Sequence, residues 1–190
     1  MQIRNFAAVP ALALALCACG SNRDTPANDT VAATMNETTM NDMATAPAAT
    51  ASPAQTFANA AAASDTFEIE TSRLALSTSQ SASVKRFAQS MVDAHTQSTA
   101  KLKTAASGAS ITPDPALTAE QTATLADLRG KSGAAFDTAY IEAQRAGHAK
   151  TLDTLKGYAA SGDAQPLKAF ATEMVPIVTA HLNMASGLRP

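Results

Sequence analysis

The stretch SVKRFAQSMVDAH, residues 83–95, is the clearest indication of the fold. Its apolar residues Val84, Phe87, Ala88 and Met91 recur at intervals of three or four positions, with charged and amide side chains between them. A period of about 3.6 residues places them on one face of an α-helix. A helix with a narrow apolar face becomes stable by packing against other helices. The stretch therefore predicts one member of a helical bundle.

The same period occurs in three further segments of the chain. The sequence predicts long helices over about 53–79, 83–107, 132–161 and 163–188. Ser52 followed by Pro53 is a helix start signal, and the second helix is expected to be capped within residues 81–83. Ser132 and Asp163 are the expected caps of the third and fourth long helices, and Pro176 should kink the fourth.

The connection between the second and third long helices differs from the other two. It is longer and contains prolines, and Thr118 with Gln121 forms a capping-box pattern for a short helix that reaches about Arg129. Two short hairpins and one longer middle connection are typical of a four-helix bundle. The predicted fold is all-α, a ferritin-like four-helix bundle with a short extra helix in that connection.

Composition narrows the possible function. Apolar residues make up 46% of the 190 residues, but charged residues make up only 16% and the net charge is −2. A basic footprint for nucleic acid is absent, so nucleic-acid binding is not expected. The sequence also contains no P-loop, Gly-rich dinucleotide turn, nucleophile elbow or HExxH motif, which favours a binding role over catalysis.

The first residues indicate where the protein is located. Arg4 precedes an apolar run, Phe6 to Leu16, which is too short to span a bilayer but suits a signal peptide. Leu16-Cys17-Ala18-Cys19 matches a bacterial lipobox in which Cys19 receives the lipid. Cys17 fits less well, because Leu16 would then directly precede the modified cysteine. The alternative is an ordinary secreted protein cleaved near Ala18.

The predicted domain organisation is a signal peptide over 1–18, a lipidated tether over 19–52 and the bundle over 53–190. Residues 20–52 contain no Leu, Ile or aromatic residue, so the tether is expected to be disordered. Gly20 and Ser21 provide no aspartate of the kind that signals inner-membrane retention. The expected location is therefore the outer membrane, facing the periplasm, with several acyl chains as the membrane contact.

Several motifs resemble one bacterial family. They are FEIE at 67–70, LAL at 74–76, VKRFAQ at 84–89, MVDAH at 91–95, SGAAFDTAY at 132–140 and HLNMA at 181–185. In this order they resemble domain-of-unknown-function family 4142, over about residues 54–188. The resemblance implies a ferritin-like fold and an envelope protein, with a stress-related role as a further expectation. It implies no assigned activity.

Three histidines are the candidate functional residues. His95, His148 and His181 each lie in or beside the apolar stripe of a different long helix, and Glu70 is expected to point inward from the first. At a rise of 1.5 Å per residue, the four fall within about one helical turn of a common level. Buried ionisable groups are costly unless they are paired or bind metal, so the four are expected to interact.

Two interpretations of this group remain open. In the first, Glu70 accepts hydrogen bonds from the histidines in a purely internal network. In the second, three imidazoles and one carboxylate bind zinc, iron, copper or manganese. Met91 and Met184 follow the same helix faces, which makes a Met/His copper pocket a variant of the second. A di-iron centre is disfavoured, because no Glu-x-x-His pair is present.

The function expected from the sequence is that of an envelope lipoprotein with a non-enzymatic binding or stress-related role. The main alternative is a metal-binding protein that uses Glu70 and the three histidines. A third possibility is an interaction module whose apolar groove takes a partner helix. The sequence leaves the protein partner open.

Overall fold

The computed structural model describes residues 51–190, which form five helices and no strand. They are α1 (Pro53–Thr78), α2 (Ala82–Gly108), α3 (Ala119–Arg129), α4 (Gly133–Ser161) and α5 (Gln165–Gly187). The predicted signal peptide, Cys19 and most of the predicted tether lie outside the described residues. No helix within residues 51–190 is both long enough and apolar enough to cross a membrane.

The predicted start signals of α1, α2 and α3 are confirmed. The Ser52 hydroxyl accepts from the Gln55 amide at 3.1 Å, and Ser81 occupies the same position before α2. Thr118 and Gln121 form both hydrogen bonds of a capping box. Each cap satisfies a backbone N–H that would otherwise lack a partner in the first turn.

The other two predicted caps were wrong in detail. Ser132 does precede α4, but its side chain makes no capping hydrogen bond. Ala164 precedes α5 in place of Asp163, because the Asp163 carboxylate instead accepts from the Tyr158 hydroxyl at 2.8 Å. Pro176 lies inside α5, as the sequence indicates.

Neighbouring helices run antiparallel around the bundle. Ser64 contacts Thr151 and Ser72 contacts Tyr140, so α1 and α4 run in opposite directions. The Lys101–Glu173 ion pair and the His95–His181 contact give the same relation for α2 and α5. The parallel helices α2 and α4 are therefore diagonal to each other. The connection that joins them carries α3, which packs on α1 and α4.

A polar layer divides the core into two apolar clusters. One cluster surrounds the start of α1 and α5, and includes Phe57, Leu102, Leu155 and Phe170. The other surrounds the start of α2 and α4. Between them, along every long helix, lie the buried polar residues Asp65, Glu68, Thr71, Ser72, His95, Ser98, Gln144, His148 and His181. The helical-bundle prediction is confirmed, and this layer contains the candidate site.

Candidate metal centre

Three imidazole rings meet in the polar layer. His95 from α2, His148 from α4 and His181 from α5 form a triangle in which every pair of ring centroids is 5.5 Å apart. One nitrogen from each ring lies within 4.8 Å of the others. The residues are 3%, 1% and 6% exposed, so the triangle is enclosed by the bundle. The structure thus brings together the three histidines singled out in the sequence.

Two of the rings are oriented by hydrogen bonds on their outer nitrogens. His95 Nδ1 donates to Asp65 Oδ1 at 2.8 Å, and Thr99 donates to the other oxygen of that carboxylate at 3.1 Å. His148 Nδ1 donates to the Gln144 carbonyl oxygen at 2.8 Å. Metal-binding histidines generally donate their second N–H to a carboxylate or carbonyl in this way. Both rings therefore direct Nε2 toward the centre.

The inward nitrogens have no hydrogen-bond partner among residues 51–190. They are His95 Nε2, His148 Nε2 and His181 Nδ1, and all three are buried. Buried polar atoms without a partner are uncommon, because each loses its hydration without compensation. Three imidazoles that each have an unpartnered buried nitrogen, and whose ligand nitrogens lie within 4.8 Å of one another, are chemically suited to a metal ion.

Burial keeps two of the rings neutral. Desolvation lowers the pKa of His148 to about 3 and the pKa of His181 to about 4, and the charge of His95 acts in the same direction. Burial also opposes protonation of His95, but the hydrogen bond to Asp65 and the Glu68 charge outweigh it and raise the His95 pKa. Neutral imidazoles present the lone pairs that metal ions require.

A second buried carboxylate adjoins the triangle. Glu68 is 1% exposed, and its Oε1 lies 3.6 Å from His148 Nδ1. Burial raises the pKa of Glu68 to about 7, and its Oε2 has no hydrogen-bond partner within the described range. Gly147 provides the space for this side chain, because a Cβ there would lie 2.9 Å from Glu68 Oε1.

The prediction that Glu70 points inward was wrong. Its side chain is 41% exposed and its carboxylate lies 3.7 Å from the Arg129 guanidinium. The carboxylates near the histidines are Asp65 and Glu68, which the sequence analysis did not select. Their spacing from Ala58, Ala61, Ser72 and Ala75 could have revealed them, because these six positions follow one helical face.

One methionine of the predicted Met/His pocket lies at the surface. Met184 is 45% exposed, and Met91 packs in the apolar cluster around the start of α2 and α4. Among the His, Cys, Asp and Glu side chains of residues 51–190, the group whose ligand atoms converge within 4.8 Å consists of the three imidazoles. The carboxylates lie outside this group of converging ligand atoms.

The triangle is wider than the ligand set of a bound ion. Zinc–imidazole bonds are about 2.0–2.1 Å long, so three nitrogens on one tetrahedral ion lie about 3.3 Å apart. The ligand nitrogens lie within 4.8 Å of one another, so a bound ion would have to draw them closer together.

The fold and the site together define a helical-bundle protein with an interior three-histidine cluster. The chain belongs to the family described as Domain of unknown function (DUF4142), whose model matches residues 39–188. That match begins before α1, within the predicted tether. No curated protein and no solved structure matches the chain. The ferritin-like assignment of the bundle therefore stays a prediction.

Proposed function

We propose that this protein binds one transition-metal ion between His95, His148 and His181. The observation that carries the proposal is the convergence of three buried imidazole nitrogens without hydrogen-bond partners in residues 51–190. Two of the rings are already oriented from behind by Asp65 and by a backbone carbonyl. The site supplies ligands, orientation and an enclosed environment.

The internal-network alternative explains less of this geometry. In such a network, inward nitrogens would face donors or acceptors, as His95 Nδ1 faces Asp65 at 2.8 Å. Instead the polar contacts of His95 and His148 lie on Nδ1, and Nε2 of both rings and Nδ1 of His181 have no partner within residues 51–190. Leaving a buried polar atom unpaired costs about 1–3 kcal/mol. A bound ion would satisfy all three at once.

The direct test is to measure metal binding by the full chain. We expect one zinc or copper ion per chain, by elemental analysis after purification without chelator and by competition titration. His181→Ala and His148→Ala should each weaken binding at least about 100-fold, because a site with two imidazoles lacks the geometry of the original. Circular dichroism would establish that both variants remain helical.

Glu70→Gln is the matched control. It removes a carboxylate from the same helix as Asp65 and Glu68, but from a half-exposed position beside Arg129. Metal affinity should be unchanged. A wild-type chain that binds no divalent ion at hundredfold excess would refute the proposal. So would a His181→Ala variant that binds as tightly as the wild type.

We also propose that a lipid on Cys19 holds the bundle at the bacterial outer membrane, facing the periplasm. The support is the Leu16-Cys17-Ala18-Cys19 match behind an apolar signal sequence. Cys19→Ala should yield unprocessed precursor or protein released from membranes, and Cys17→Ala should change little. Membrane fractionation with radiolabelled palmitate distinguishes the two variants. Normal labelling of the Cys19→Ala protein would refute this assignment.

Together these proposals describe an envelope protein that holds a metal ion inside a helical bundle. The role is binding rather than catalysis, since the three-histidine centre lies in the packed core. The periplasm is the compartment in which such a protein would encounter the ion.

A further inference from the structure

We infer that Asp65 and Glu68 set the charge of the ion that this site accepts, and that they favour a divalent ion over Cu(I). The inference rests on the proposed function, because it concerns the three-histidine site. Neither carboxylate belongs to the group of converging ligand atoms. Both lie on the outer side of the imidazoles, away from the proposed ion, and act on the ion through their charge.

The charges of the layer show why a dication fits. When an ion is bound, the three imidazoles that hold it are neutral, whereas Asp65 and Glu68 are both buried and, when ionised, bring two negative charges. No Lys or Arg is among the buried residues of the described range to balance them. A divalent ion makes the layer neutral, and a monovalent ion leaves one buried negative charge. An uncompensated buried charge is strongly unfavourable.

Both carboxylates are close enough to act. Asp65 Oδ1 lies 2.8 Å from His95 Nδ1, and Glu68 Oε1 lies 3.6 Å from His148 Nδ1. Each is therefore one imidazole ring away from the proposed ion. The remaining buried acid, Asp137, lies eleven residues before His148 on α4, about 16 Å along the helix axis, and is not part of the layer.

A charge effect can be distinguished from a positioning effect. The Coulomb energy between a carboxylate and an ion is proportional to the charge of the ion. Removing one carboxylate charge should therefore lower the logarithm of the binding constant twice as much for a divalent ion as for a monovalent ion. If the carboxylate only held the ring in place, both ions would lose the same factor.

The experiment compares Zn²⁺ and Cu⁺ binding to the full chain and its Glu68→Gln variant. Gln keeps the shape of the side chain and removes its charge. Zn²⁺ affinity is measured against a competing chelator, and Cu⁺ affinity without oxygen against a chromophoric Cu⁺ ligand. We expect the Zn²⁺ dissociation constant to rise about 10- to 100-fold, the usual effect of changing a group in the outer shell of a metal site. The Cu⁺ constant should rise by the square root of that factor, about 3- to 10-fold.

Asp65→Asn is the second variant and Glu70→Gln the control. The amide oxygen that Asp65→Asn introduces can still accept from His95, so the same square-root relation is expected. The double variant Asp65→Asn/Glu68→Gln should show the two losses combined. Glu70→Gln should alter neither constant, since that carboxylate is half-exposed beside Arg129.

The outcomes separate this inference from the proposed function. Equal losses of Zn²⁺ and Cu⁺ affinity, or no loss of either, would overturn the charge role of Asp65 and Glu68 while leaving the three-histidine site in place. Failure of the wild-type chain to bind either ion would instead overturn the proposed function. Unequal losses near the square-root relation would support both.

Discussion

At the scale of single residues, the polar layer is built from side chains that are buried in pairs. Ser72 on α1 and Tyr140 on α4 are both fully buried, and their hydroxyl oxygens are 2.9 Å apart. Burial raises the pKa of Tyr140, so the phenol remains neutral and can donate. The hydrogen bond joins two helices from different hairpins.

Tyr140→Phe should destabilise the bundle by about 1–2 kcal/mol, because it leaves the Ser72 hydroxyl buried without this partner. The measurement is urea unfolding followed by circular dichroism. The double variant Ser72→Ala/Tyr140→Phe removes both polar atoms and should be less destabilised than the sum of the single variants. Additive single effects would show that the two hydroxyls do not stabilise each other.

The residue scale is also where the sequence prediction failed, at Glu70. The large residues Phe67 and Leu74 suggested an inward face that includes Glu70, but Leu74 is only partly buried. The buried face of α1 is rotated by about one residue from the predicted face, and it includes alanines together with Asp65 and Glu68. Alanine gives a weak hydrophobic signal, so the rotation of α1 could not be fixed from apolar pattern alone. The histidines on the other helices have large apolar neighbours and were placed correctly.

At the scale of the helix, the two interior glycines of α4 have different surroundings. A Cβ on Gly157 would meet nothing within 4 Å, whereas a Cβ on Gly147 would lie 2.9 Å from Glu68 Oε1. Glycine in a helix interior is about 1 kcal/mol less favourable than alanine. The two positions therefore offer the same gain in helix propensity but different consequences for the site.

Gly157→Ala should raise the free energy of unfolding by about 0.5–1 kcal/mol. Gly147→Ala should fall short of that gain, because the new methyl group displaces the Glu68 carboxylate from its place beside His148. It should also weaken Zn²⁺ binding several-fold, while Gly157→Ala leaves it unchanged. Thermal unfolding and the zinc titration provide both measurements. Equal stabilisation and unchanged zinc affinity in both variants would contradict the packing described for Gly147.

Arg145 holds the end of α5 from the neighbouring helix. Its guanidinium donates to the Ala185, Ser186 and Leu188 carbonyl oxygens at 3.1, 3.1 and 3.3 Å. These carbonyls lie at the C-terminus of a helix, where the helix itself provides no further N–H donors. The side chain thus fixes the last turn of the helix that carries His181.

Arg145→Ala should cost about 1–2 kcal/mol and speed amide hydrogen exchange in the last turn of α5. Arg189→Ala is the comparison, because Arg189 also donates to carbonyls there but from an exposed position at the chain end. It should change stability by less than about 0.5 kcal/mol. Equal exchange rates in the two variants would show that Arg145 does not fix the helix end.

At the scale of the whole molecule, the sequence predicted most of the architecture. Three long segments with a period of 3.6 residues form the buried faces of α2, α4 and α5. Their first buried apolar residues are Val84, Phe136 and Leu167. The convergence of the histidines followed from placing them at one level on antiparallel helices. The rotation of α1 determines which carboxylates lie beside the histidines, and only tertiary packing determines that rotation.

Zinc should stabilise the complete bundle. At a free zinc concentration of about 100 times the dissociation constant, mass action adds about 2.7 kcal/mol, or roughly 10 °C in Tm for a domain of this size. Excess EDTA should reverse the shift. His181→Ala should show no shift, since it lacks one of the three inward nitrogens. A Tm that is indifferent to zinc in the wild type would contradict the proposed site.

The crossover connection also has a kinetic consequence for the proposed ion. The α1–α2 hairpin supplies His95, and the α4–α5 hairpin supplies His148 and His181. Neither hairpin carries the complete set, so the ion can be captured fully only once the two have docked. The site is enclosed in the packed core, so escape requires the hairpins to part or a buried ring to swing outward. The residence time of the ion would then depend on how often the interface between the hairpins opens. Exchange of the ion would be slow even where its affinity is moderate.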